Sequence, residues 1–132
     1  MVIGALRAEK ENQTIKLAKE QGKKYIATLL ENGDTPKQLL ARSRYVITKT
    51  PNLWTADQKC RAEILFKHYP ELHLAYKHTM EFRAIYEQNQ KERARMQFLN
   101  WIEKTKTLKL ENFNTAAKSI KYHLETILNL LS

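Results

Sequence analysis

Apolar side chains recur along this chain at spacings of three and four residues, and turn signals separate one run from the next. The longest run is the last, Leu110 to Leu131. Phe113, Ala117, Ile120, Leu124, Ile127 and Leu131 form one stripe there, while Lys118, Lys121, Tyr122, His123 and Glu125 make a wetter face. Neither Gly nor Pro interrupts it, so the spacing predicts a continuous helix roughly 30 Å long at about 1.5 Å per residue. A helix of this kind is stable mainly when something covers its stripe, and the preceding helices are its cover.

Upstream, residues 5–21 have helix-forming composition but sparse apolar positions, Leu6, Ile15, Leu17 and Ala18, before Gly22 stops the run. This first helix either docks on the rest or frays. Tyr25–Leu30 is a short apolar run that periodicity leaves open between extended and helical. Asn32-Gly33-Asp34 is a turn, and Thr35-Pro36-Lys37-Gln38 has an N-cap, a proline at the first helical position and a capping-box glutamine. The helix that follows carries Leu39, Leu40, Tyr45 and Val46. Thr55-Ala56-Asp57-Gln58 repeats the device ahead of Ala62, Leu65, Phe66 and Tyr69. Pro70-Glu71 then opens a helix with the stripe Leu72, Ala75, Tyr76, Thr79, Phe82 and Tyr86. Asn89-Gln90-Lys91-Glu92 has the form of a third N-terminal box, placing a break near residue 88 before Ala94, Phe98, Trp101, Ile102 and Thr105. Lys104, Lys106 and Lys109 suit a helix end and linker.

The expected fold is all-α, an irregular bundle of about six helices joined by short loops. It forms a single domain over residues 1–132, with 1–33 an N-terminal helix and turn and 34–132 the helical core. Composition agrees. Three Gly and three Pro in 132 residues are too few for the turns of an all-β chain, and 42% hydrophobic content argues against disorder. A single cysteine, Cys60, rules out an internal disulfide and fits a reducing compartment. No apolar run approaches the roughly 18 residues a membrane span needs. Met1 to Leu6 is too short and lacks the basic flank of a secretory signal. The expected location is the cytoplasm, with no membrane partner.

The formal charge of +9 is the main hint about partners, because a basic surface attracts polyanions and nucleic acid is the commonest. Candidate DNA-contact residues are Arg42, Arg44 and Lys49 around one helix end, and Arg93 and Arg95 at the start of another. The competing account has these arginines pairing with glutamates to hold helices together. No catalytic site is legible. Asp34 and Asp57 sit at a turn and in a helix's first turn, where structure accounts for them. His68, His73 and His78 step by five residues, which turns each about 140° from the last and spoils a helical metal pair. They read as exposed or partly packed, and no metal ligand is assigned. Trp54, Phe66, Tyr76, Phe82 and Trp101 read as core.

Three runs carry a family resemblance. Leu39-Leu40-Ala41-Arg42-Ser43-Arg44-Tyr45, then Trp54-Thr55-x-x-Gln58-Lys59, then Leu65-Phe66-x-x-Tyr69-Pro70 resemble a segment of bacterial insertion-sequence transposases of the DDE type, and Ile127-Leu128-Asn129 fits the same segment. The resemblance covers about Ile15 to Asn129. In that family an RNase-H-like domain carries three carboxylates that hold two divalent metals for phosphoryl transfer on DNA ends. The resemblance implies that two aspartates lie upstream of residue 1, and that the glutamate follows an Asn-Arg-rich stretch beyond Leu131. This chain then corresponds to the helical segment between the second and third acids. It has no catalytic residue, no enzyme activity and no cofactor of its own, although the parent family would use Mg. Its expected role is to space the catalytic acids and to contact DNA weakly and nonspecifically. Apolar surface left by the missing core is expected to favour a homo-oligomer. The alternative is a small basic helical protein-interaction module with no DNA role.

Overall fold

The computed structural model describes residues 2–22 and 29–130, and every regular element among them is helical. The helices are α1 (Val2–Gln21), α2 (Pro36–Arg42), α3 (Ala56–His68), α4 (Pro70–Tyr86), α5 (Lys91–Leu108), α6 (Asn114–Tyr122) and α7 (Leu124–Asn129). Short 3₁₀ turns occupy Ser43–Tyr45, Pro51–Leu53 and Glu111–Phe113. The all-α expectation is met. Residues 3–73 form one compact unit and residues 74–132 another, the boundary falling inside α4.

In the first unit, both threonine boxes form as their sequences require. Thr35 accepts from the Gln38 N–H at 3.2 Å while Gln38 Oε1 accepts from the Thr35 N–H at 3.0 Å. Thr55 and Gln58 repeat the exchange at 3.2 and 3.1 Å. Each box satisfies two N–H groups that a helix start leaves open. The core gathers Leu39, Leu40, Val46, Ile47, Ala62 and Leu65, all essentially without exposure. Burying each of these leucines contributes about 1.5–3 kcal/mol. Trp54 is half-buried and donates its indole N–H to the Val46 carbonyl at 2.9 Å, closing the loop between α2 and α3.

Helix α1 meets α2 through Arg7 near its start. Only its first turns are buried, through Ile3, Leu6 and Arg7, and Leu17 stays 48% exposed. The Arg7 guanidinium donates to Glu11 at 2.6 Å and to the Leu40 carbonyl at 3.2 Å, tying the helix to the end of α2. Lys10 adds a 2.7 Å ion pair to Glu71. Polar anchors therefore hold α1 where an apolar stripe is missing. Residues 25–28 of the undecided apolar run lie outside the described residues, as does Leu131.

In the second unit, α5 buries Ala94, Phe98, Trp101, Ile102 and Thr105, the face its spacing predicts. Both α6 and α7 pack on α5. Phe82, Phe98, Trp101 and Phe113 form a ring cluster with centroids 5.3–6.2 Å apart along its contacts. The expected third N-terminal box is absent. Gln90 caps α5 with no side-chain bond, since it offers no short oxygen in the place of a Ser or Thr hydroxyl.

The terminal helix also differs from its expectation. Instead of one run, it breaks at His123 (φ −100°, ψ 15°), which separates α6 from α7. Phe113, Ala117 and Leu124 are buried as expected, but the last buried position among the described residues is Leu128, and Ile127 is only half-buried. Packing on α5 draws in Leu124 and Leu128, so tertiary contact overrides the local period. At the other end of this region, Lys109 ends α5 in a left-handed conformation (φ 54°, ψ 34°) and turns the chain into the Glu111–Phe113 turn.

Candidate nucleic-acid interface

The run from Leu39 to Tyr45 places its residues in three different settings. Leu39 and Leu40 point into the core, and α2 then tightens into the Ser43–Tyr45 turn. Ser43 is fully buried and donates its hydroxyl to the Leu39 carbonyl at 2.6 Å, which holds the tightened turn. Arg42 folds back onto Asp34, a buried carboxylate also bonded by Asn32 Nδ2 at 2.9 Å. Gly33, at φ +85°, shapes the turn that presents Asp34. Arg44 and Tyr45 are left facing solvent. Tyr45 is 71% exposed, and Arg44 has no carboxylate partner among the described residues. Lys49 lies nearby in sequence, half-buried, with its ammonium 3.3 Å from Gln58 Oε1.

The second candidate pair lies in the other unit and divides in the same way. Arg95 bonds Glu92 at 3.4 Å and also Glu125, which joins α5 to α7. Arg93 is exposed and has no ion pair among the described residues. The five arginine and lysine candidates thus separate into two bound to carboxylates, Arg42 and Arg95, one held to an amide, Lys49, and two open, Arg44 and Arg93. A group of lysines along α5 and α6 lies outside the candidates that the sequence singles out. Lys118 and Lys121, expected on a wet face, and Lys106, expected at a helix end, all border one cleft.

The histidines part company too. His68 is exposed and bonds Glu31 at 2.9 Å, and this hydrogen bond holds the Glu31 carboxyl below its usual range. His73 stacks on Phe66 with centroids 4.7 Å apart. His78 is not exposed or partly packed as expected. It keeps 1% of its surface, stacks on Trp101 at 4.0 Å and meets Phe113 edge-on. The Thr105 hydroxyl donates to the Trp101 carbonyl at 2.9 Å, so at the 2.6 Å contact His78 Nε2 must be the donor. Nδ1 is left bare and unpartnered. Burial, outweighing the effect of Glu81, pushes the imidazole pKa down to about 4. The sequence does carry a signal for this: His78 stands at i+3 from Ala75 and i−4 from Phe82, within the stripe.

Among the described residues, no three His, Cys, Asp or Glu side chains converge where an ion could sit.

A family model for transposases, the ISL3-type DDE group, matches residues 6–132. The chain belongs to the ISL3 family of DDE transposases. No curated protein and no solved structure matches it. Membership in the ISL3 family implies DNA as the partner and, for the family's chemistry, Mg as the usual metal. No described helix of this transposase chain is long and apolar enough to cross a membrane.

Proposed function

We propose that this chain is the helical segment lying between the second and third catalytic acids of its transposase. It is catalytically silent by itself, acts in the cytoplasm, and serves to space those acids and to contact DNA through Arg42, Arg44, Lys49, Arg93 and Arg95. The observation that carries the DNA role is the exposed Arg44–Tyr45 pair. Within a run whose other residues build the core or its turn, the side chains of these two stand exposed and make no ion pair or ring contact among the described residues. A guanidinium beside a free phenol suits a phosphate and a neighbouring sugar or base. Arg42 and Arg95 are already bound to carboxylates, so their share in DNA contact is secondary to that of Arg44 and Arg93. Silence in catalysis is supported by the dispersal of the acids, Asp34 being committed to Arg42.

The test is fluorescence anisotropy with a labelled duplex at about 50 and 200 mM salt, the range over which phosphate contacts lose most of their strength. Wild-type affinity is expected to fall steeply across it, and R44Q/R93Q to bind more weakly with an unchanged melting temperature. Affinity that ignores salt contradicts the proposal. It would favour a protein-interaction module instead, a reading for which Met96 and Leu99, exposed one turn apart on α5, supply the apolar contact and a route to a homo-oligomer.

A further inference from the structure

We infer that the cleft between α5 and α6 is a seat for one phosphodiester of bound DNA, held by Lys106, Lys118 and Lys121. The inference rests on the DNA reading above and adds a contact site outside the arginine candidates. Its geometry follows from helical spacing. Asn114, Ala117, Lys118 and Lys121 fall at i, i+3, i+4 and i+7 on one face of α6, and Ile102, Thr105 and Lys106 fall at i, i+3 and i+4 on α5. Where the two faces meet, the small side chain of Ala117 leaves a space of about 370 Å³. Ile102, Thr105 and Ala117 are buried residues at its base, and the three lysines and Asn114 border it.

Three features fit this cleft to a backbone phosphate. First, its lining holds no acidic group. Lys118 and Lys121 have no carboxylate partner among the described residues, and Lys106 has only an exposed 3.4 Å contact to Glu103, which is worth little and easily exchanged. Second, apolar walls beneath charges of one sign focus the field and strengthen attraction for an anion. Third, Asn114 begins α6, the positive end of that helix dipole. The Thr105 hydroxyl is committed to Trp101 and His78, so the base of the cleft is rigid and its polar recognition comes from the lysines and Asn114. At this volume the cleft is near the low end for ligand sites, sized for a phosphate with its sugar and closed to a whole duplex or a peptide helix.

The experiment uses the whole chain and a fluorescein-labelled duplex of random sequence. Affinity is measured over a salt series for wild type, for K118Q/K121Q, and for K37Q/K59Q, which removes the same charge from exposed positions elsewhere. Each lost phosphate contact lowers the slope of log affinity against log salt by about 0.9. The cleft variant, which loses the one phosphate seated there, is expected to lose about 0.9 in slope, and the control to stay near wild type. Circular dichroism should show equal helix content in all three. If wild type binds with a steep slope but the two variants behave alike, the cleft assignment is overturned and the DNA reading stands. If wild type shows no salt-dependent binding, the DNA reading falls and the cleft assignment falls with it.

Discussion

Replacing His78 by phenylalanine should remove a pH dependence that belongs to this ring alone. The imidazole is buried and neutral in the folded chain, with its pKa lowered from 6.5 to about 4. Glu81 raises it and Lys104 lowers it, and these two charges pair with each other at 2.6 Å, so burial decides the result. Between those pH values the unfolded chain binds a proton that the folded chain refuses. Stability is therefore fully present above about pH 6.5 and is lost as pH falls toward 4. At about 1.4 kcal/mol per pH unit, the loss across the window is about 3 kcal/mol, a large share of a small domain's total. The H78F variant forfeits the bond to Thr105, about 1 kcal/mol, but also removes the unpartnered Nδ1, so its stability at pH 7 should be near wild type. Urea unfolding followed by circular dichroism at a series of pH values gives the difference between the two proteins, in which the other histidines and the carboxylates cancel. That difference should move by about 3 kcal/mol in favour of H78F from pH 7 to pH 4, and H78Q should show the same trend. A difference that stays constant to within about 1 kcal/mol refutes a buried neutral imidazole.

Two further outcomes test the fold. L128A should cost about 2–5 kcal/mol in chemical denaturation and I127A clearly less, because α7 buries Leu128 completely and Ile127 only in part. The reverse order would mean that the terminal helix runs unbroken. R42A should lower stability by about 1–3 kcal/mol, since it strips the buried Asp34 carboxylate of its charged partner. The double variant R42A/D34N should recover part of that loss in a thermal melt, and no recovery would place the role of Arg42 outside this pair.

Much of the fold is legible because its signals are local. The Thr35 and Thr55 boxes act over three residues, and the stripe of α5 needs only the helical period. The remainder depends on partners distant in the chain. Arg95 meets Glu125 thirty residues on, and nothing near Arg95 foretells which arginine will be bound and which free. The break at His123 has no Gly or Pro to announce it and arises from the way α6 and α7 settle on α5. The burial of His78 is not legible from α4 alone, although its position lies in a stripe, because the Thr105 and Trp101 groups that make that burial tolerable come from another helix. The lysine cleft needed two helix faces to be brought together, and neither alone looks different from a solvated surface.

Among the described residues, Lys109 is the one non-glycine side chain with positive φ. A left-handed conformation costs an ordinary residue about 1–2 kcal/mol, and here buried Leu110 and Phe113 on its far side pin the bend in place. The corner behaves as a loaded spring. Whatever prises Leu110 and Phe113 from their seats also frees Lys109 to leave its left-handed conformation, and glycine at this corner would slacken the spring.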